Sequence, residues 1–194
     1  MTFPNLPTVF ETERLIIRSP QPGDGPNLFD AVVDALADLR QFPASLPWAM
    51  ETPSVDTSES YCVASSESFQ ARKDFPFLFI DKTSHIVVGS GGLHRPRWAV
   101  PAFELGFWGR SPLVGRGLFS EAADALVNFA FAHFDAKRVE AICDDLNVRS
   151  IRVCERIGMQ LEGVLRHERR APDGSLRNTR IYSKCERTET TCKK

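Results

Sequence analysis

Residues 103–134, FELGFWGRSPLVGRGLFSEAADALVNFAFAHF, decide how the chain is to be read. Phe103 to Trp108 is a short run of apolar and aromatic residues and predicts a buried strand. From Leu118 onward, Leu118, Ala122, Leu126, Phe129 and Phe131 recur near a period of 3.6, with Ser120 and Glu121 in the first turn; this predicts a helix. Between them stands Val114-Gly115-Arg116-Gly117. Glycines let a backbone approach a ligand closely, and the unpaired N–H groups of a helix start attract anions. Strand, Gly-x-Gly turn and helix start together make a cradle for a pyrophosphate. A Walker loop would need Gly-Lys-Ser/Thr, which is absent, and a dinucleotide fingerprint would need a third glycine where Ser120 stands.

Working outward, Lys137 to Asp144 predicts a strand that leads into Asn147-Val148-Arg149-Ser150 and a short helix ending at Gly158. Upstream, residues 1–12 read as an entry segment and Arg14 to Arg18 as the first strand. A helix follows from Pro26 to Leu39, with Leu28, Val32, Ala35 and Leu39 on one face. Residues 42–53 form a proline-broken loop carrying Trp48, and a second, weakly patterned helix covers 55–72. Strands at 75–81 and 86–94 predict an antiparallel pair, in which Gly89, Gly91 and Gly92 point to a bulge or close packing. Residues 95–101 are a loop holding Trp98. Downstream, a strand over 159–170 turns at Asp173-Gly174 into a partner at 177–184. Residues 185–194 read as a loose tail, and one domain is expected over 13–184.

The composition is that of an ordinary soluble domain, 42% hydrophobic and 25% charged. With Lys plus Arg at 24 against Asp plus Glu at 25, a net charge of −1 gives no electrostatic reason to expect nucleic acid or an anionic membrane as partner. No apolar run approaches a membrane span and no signal-peptide pattern opens the chain. Cys62, Cys143, Cys154, Cys185 and Cys192 form no Cys-x-x-Cys pair, so reduced thiols in a cytoplasm are expected, without a disulfide frame or a metal site.

The ELGFW strand, GRGLFSEA, NVRS, ERIGMQLEG and the late Asp-Gly turn occur in an order that resembles the GNAT superfamily of N-acetyltransferases. The likeness is greatest to the RimJ/RimL-like branch, which acetylates the N-termini of ribosomal proteins. It implies an α/β (α+β) fold: a central, mostly antiparallel twisted sheet of about seven strands flanked by about four helices. It also implies acetyl-CoA as cosubstrate, a primary amine as acceptor and, by analogy with related proteins, a homodimer. The family loop pattern Gln/Arg-x-x-Gly-x-Gly/Ala falls on Val114, Gly115, Arg116, Gly117, Leu118 and Phe119. Val114 replaces the usual Gln or Arg, and Phe119 the usual small residue; its ring would crowd the cofactor unless it turns toward the core.

Acetyl transfer from a thioester to an amine requires a held cofactor, a deprotonated amine, a stabilised oxyanion and a protonated leaving thiolate. The resemblance assigns the backbone of Trp108, Gly109 and Arg110 to the pantetheine and the thioester carbonyl, and Asn147 to the pantetheine arm. The alternative for Asn147 is a helix cap. Ser150, one helical turn on, is the candidate donor to the departing sulfur, or else a first-turn serine satisfying the backbone. Glu104 and Glu168 are the candidate bases, each with the alternative of a carboxylate paired to a nearby arginine. His94 and His167 could act through a water. Trp48 and Trp98 are the candidate walls of the acceptor pocket, or simple loop anchors. A covalent cysteine route is disfavoured, since no cysteine has a histidine partner in sequence. Transfer of a bulkier acyl group such as succinyl, and a catalytically silent CoA-binding module, are the rival readings. Nothing in the sequence names the acceptor.

Overall fold

The computed structural model describes residues 6–186. Its strands are β1 (Val9–Glu11), β2 (Leu15–Arg18), β3 (Phe75–Asp81), β4 (Val87–Arg97), β5 (Ala102–Gly109), β6 (Arg138–Asp144), β7 (Gln160–Arg170) and β8 (Leu176–Cys185). The helices are α1 (Gly25–Leu39), α2 (Val55–Gln70), α3 (Leu118–Phe134) and α4 (Val148–Arg156). All eight strands form one sheet in the order β1-β2-β3-β4-β5-β6-β8-β7. Every neighbouring pair is antiparallel except β5 with β6. The extra strand relative to the sequence reading is β1, inside what read as an entry segment. Three residues carry no periodicity; Phe10 holds them in place, stacking on Phe129 at 4.7 Å and meeting Phe77 edge-on at 5.5 Å. At the other end β8 reaches Cys185, and residues 187–194 of the expected tail lie outside the described residues.

Alternation along the strands sorts side chains to two faces. On one face, Leu28, Ala31 and Val32 of α1 and Cys62 of α2 pack on Leu78, Ile80 and Val87. On the other, Leu118, Ala122, Leu126, Phe129 and Phe134 of α3 pack on Ile17, Phe75, Phe77, Leu93, Phe103 and Leu105. Phe134 is the hub of that layer, with ring centroids 4.4 Å from Phe75 and 4.9 Å from Phe103. Burying a phenylalanine is worth about 1.5–3 kcal/mol, and each well-placed ring pair adds about 0.5–1.5 kcal/mol. These rings therefore clamp α3 to the middle of the sheet.

The single parallel pairing is short. β5 meets β6 only at Ala102–Arg138, Phe103–Val139 and Glu104–Glu140. Beyond that point β5 stays with β4 as far as Gly109–Gly89, while β6 stays with β8 as far as Asp144–Thr179. The two strands part, and the sheet opens into a fork whose closed end is Glu104. The predicted bulge is also present: the β3–β4 register shifts beside Gly89, where an added Cβ would lie 2.3 Å from the Trp108 carbonyl oxygen.

Outside the fork, ion pairs tie the last strands together. Arg138 of β6 binds both Glu162 of β7 and Glu140. Its guanidinium, with the Ser183 hydroxyl, holds the Glu162 carboxyl down to about 2. Arg180 likewise holds Asp145 below the usual carboxylate range. A folded-state value below the unfolded one means stability that is present above about pH 4.5 and lost as pH falls toward 2. Scanning calorimetry should show the melting temperature falling across that window, with a shallower fall in Glu162→Gln. An unchanged slope in that variant would show that this ion pair contributes nothing.

Candidate active site

The fork edge on β5 is set by backbone alternation. The Arg110 N–H donates to the Val88 carbonyl at 2.8 Å, and the Trp108 carbonyl lies against Gly89. Peptide groups of Trp108 and Arg110 therefore face β4, and those of Phe107 and Gly109 face the fork. Arg110 also accepts from Leu113 N–H at 3.1 Å, and its side chain binds the Val87 carbonyl and Asp34. Trp108 and Arg110, expected to hold the pantetheine through their backbone, shape the fork, and their peptide groups are committed within the protein. Phe107, which the sequence reading passed over, has its peptide groups on the fork edge beside those of Gly109. The period-two alternation of peptide directions was the signal that could have found it.

At the mouth of the fork lies the glycine turn. Gly115 has φ +88° and Gly117 φ +80°, left-handed values that suit glycine. Gly117 is the N-cap of α3 and offers no side chain to its first turn. The other helix starts are occupied: Ser54 caps α2, Asn147 caps α4, and Glu59 accepts from Gly25 at the start of α1. The open N-terminus of a helix carries about half a positive charge. Val114 N–H is used by the Ser111 carbonyl, so the cradle begins at Gly115. Arg14, not singled out from sequence, braces the turn. Its guanidinium binds Glu121 at 2.6 Å and the Arg116 carbonyl at 2.8 Å, and it would lie 3.5 Å from a Cβ on Gly117. The Phe119 ring turns inward, under β4 and β5. A Cβ on Gly109 would stand 1.9 Å from it, so that glycine makes the room which keeps the ring out of the cradle.

The opposite lip is the β6–α4 connection. Asn147 is a helix cap in the structure, its Oδ1 accepting from Ser150 N–H at 3.1 Å. The amide N–H₂ of Asn147 makes no hydrogen bond among the described residues. The Ser150 hydroxyl is half-buried and makes no hydrogen bond among the described residues. Asp38 joins the two lips, accepting from the Ser111 hydroxyl at 2.6 Å on one side and pairing with Arg149 at 2.6 Å on the other. Burial works against that carboxylate, yet Ser111 and Arg149 hold its pKa below the ordinary value.

Glu104, Gly106 and Trp108 share the face covered by α1 and α2, as do their partners His94, Gly92 and Ser90 on β4. Trp48, in a single helical turn over Pro47–Met50, lies 6.0 Å from Trp108 and walls this side. Trp98 does not. It packs edge-on against Phe75, Phe103 and Phe134, on the α3 face and at the closed end of the fork, the arrangement that a loop anchor makes. Glu104 is tied to Arg95. Glu168 sits where the β7–β8 register shifts between Leu165 and Arg169, beside His167 at φ +54°. The irregularity aims Glu168 at Thr179, whose hydroxyl, with Arg169, holds the carboxylate below its usual pKa. A cavity of about 310 Å³ opens between Phe42, Pro43 and Ala44 and the Asp173–Ser175 turn, with Asp144 and Arg177 in its wall. Burial pushes the Cys62 thiol up to about 12, and Cys143 and Cys154 are buried against one another. Among the described residues no group of side chains is arranged to hold a metal.

A carboxylate placed at the turn tests the cradle. Gly117→Asp should weaken acetyl-CoA binding at least tenfold, about 1.4 kcal/mol, by calorimetry on a folded variant. Unchanged affinity would remove the turn from the cofactor site.

Among solved structures, the chain superposes on RimL, the ribosomal L7/L12 alpha-N-protein acetyltransferase in complex with coenzyme A, with a TM-score of 0.79 at 18% identity, covering 93% of this chain and 97% of that one. The microcin C7 self-immunity acetyltransferase MccE, in complex with acetyl-CoA and AMP, gives 0.77 at 21% identity over 90% and 94%. An uncharacterized N-acetyltransferase of Bacillus subtilis, YnaD, is 34% identical over 61 residues; the match spans 31% of this chain and 36% of that protein's length. The profile described as "Acetyltransferase (GNAT) domain" matches residues 14–160, three quarters of the chain, and the protein belongs to that family.

Proposed function

We propose that the protein transfers the acetyl group of acetyl-CoA to a primary amine by direct attack, with a protein N-terminal α-amine as the favoured acceptor and a small-molecule amine as the second. The observation that carries this reading is the fork: two strand edges that part after Glu104, with the uncapped start of α3 at the mouth. An extended pantetheine arm suits the free peptide groups of Phe107 and Gly109, as an added strand suits an open sheet edge. Its pyrophosphate suits the N–H groups from Gly115 to Ser120, with Arg14 and Arg116 beside them. Asn147, through its uncommitted amide, contacts the arm from the other lip. Ser150 donates its hydroxyl proton to the departing sulfur.

The acceptor enters from the α1/α2 face, past Trp48 and the 310 Å³ cavity. Glu168, kept ionised by Thr179 and Arg169, attracts the incoming ammonium. RimL, whose name specifies α-N-acetylation, shares the fold and supports the α-amine choice. A net charge of −1 argues against nucleic acid as partner. No described helix is long and apolar enough to cross a membrane. The four described cysteines are free thiols, which accords with a cytoplasmic location. A homodimer goes with the likeness to the ribosomal-protein branch.

A thiol-release assay with acetyl-CoA tests the reading against N-terminal peptides, polyamines, aminoglycosides and amino acids. An α-amine has a reference pKa near 8 against about 10.4 for lysine, a difference of roughly 3 kcal/mol in deprotonation at neutral pH. N-terminal peptides should therefore turn over fastest, with the acetyl group on the α-nitrogen by mass spectrometry. An internal lysine as preferred product would contradict the acceptor, and no thiol release with any amine would contradict the activity.

A further inference from the structure

Granting acetyl transfer as proposed above, we infer that His94, held by Asp74, is the group that takes the proton from the acceptor amine. The two carboxylates that sequence suggested for this task are otherwise engaged: Glu104 with Arg95, Glu168 with Thr179 and Arg169. His94 is arranged differently. Its Nδ1 lies 2.8 Å from the Asp74 carboxylate, which fixes the ring and leaves Nε2 to accept a proton. The ring does not stand over its own position. It leans along the sheet over Gly92 and Gly106, its Nε2 only 2.8 Å and 3.3 Å from where their Cβ atoms would be. Any side chain at Gly92 would displace it, so the glycine is a built space for the imidazole. This lean runs from the level of Glu104 toward that of Trp108, on the acceptor face. Glu104 is also where the fork closes, so a thioester reaching inward past Gly109 and Phe107 ends beside Gly106 and the imidazole edge. Of the charged and titratable groups near the ring, Asp74 before β3 holds it, Glu104 is its cross-strand partner and pairs with Arg95, and Tyr61 of α2 feels the charge of Asp74.

The step balances without another reagent. The ammonium gives one proton to Nε2 and becomes a neutral amine. Its nitrogen lone pair forms a C–N bond to the thioester carbonyl carbon, the C–S bond breaks, and its electron pair leaves with sulfur. Ser150 gives its hydroxyl proton to that sulfur and is restored by the second amine proton, and the imidazolium returns its proton to water.

The test is the pH profile of kcat/KM from 6.5 to 10 for wild type, His94→Ala, His94→Gln and Asp74→Asn, using a short peptide with a free α-amine. Each variant is first shown to melt as wild type does and to bind acetyl-CoA with unchanged affinity. The His94 variants should lose about 10²-fold near pH 7, in kcat rather than in KM for acetyl-CoA. That loss should shrink below about fivefold near pH 10, where the α-amine is already neutral. Asp74→Asn should show a smaller loss of the same shape, and imidazole should partly rescue His94→Ala. Less than threefold loss at pH 7, or a loss of equal size at every pH, would overturn the assignment. If His94→Ala does not fold, His94→Gln and Asp74→Asn decide by the same criteria. Wild type that releases no thiol would defeat the acetyl-transfer reading instead.

Discussion

Everything in the site depends on the parallel ladder between β5 and β6 stopping after three residue pairs. A strand edge without a neighbour has peptide groups that must find partners, and leaving one buried and unpaired costs about 1–3 kcal/mol. Here the edges are kept apart by commitments on their outer sides: β5 is zipped to β4 as far as Gly109, β6 to β8 as far as Asp144. Asp38 then spans the gap between Ser111 and Arg149. An extended ligand that supplies amide donors and acceptors completes what the sheet lacks. The aromatic layer around Phe134 makes that geometry rigid, because it fixes α3, and so the helix start, relative to β5.

Glycines on the central strands are placed by their neighbours' rings. Gly109 and Gly89 make room for Phe119 on the α3 face; Gly92 and Gly106 make room for His94 on the opposite face. One pair keeps a bulky ring away from the glycine turn, and the other seats an imidazole at the closed end of the fork. The same two strands thus shape both faces of the candidate site by omitting side chains.

Much of this was readable in sequence. The 3.6 period of α3, the face of α1 made by Leu28, Val32, Ala35 and Leu39, and the Asp173-Gly174 hairpin follow from local pattern, which is strongest where a long element buries one face. Phe10 was missed because a three-residue strand has no period; its pairing with β2 and its contacts with Phe77 and Phe129 show only in three dimensions. Trp98 was misplaced because a tryptophan in a loop says nothing about which face it covers. Arg14, Asp38 and Asp74 were invisible for a common reason. Their partners Glu121, Ser111 and His94 lie 107, 73 and 20 residues away, and no spacing rule links charges across such separations. Phe107 was recoverable in principle, since alternation along β5 dictates which peptides face the fork.

The most direct measurement is amide hydrogen exchange, residue by residue, with and without coenzyme A. Exchange reports whether a particular N–H is hydrogen-bonded in the populated state. If the fork and the start of α3 hold the cofactor, binding should slow the amides of Phe107 and Gly109 and those from Gly115 to Ser120, while Trp108 and Arg110, already paired with β4, change little. Protection that spares Phe107, Gly109 and the glycine turn, and appears elsewhere on the molecule, would contradict the assignment of this fork as the acyl-CoA site.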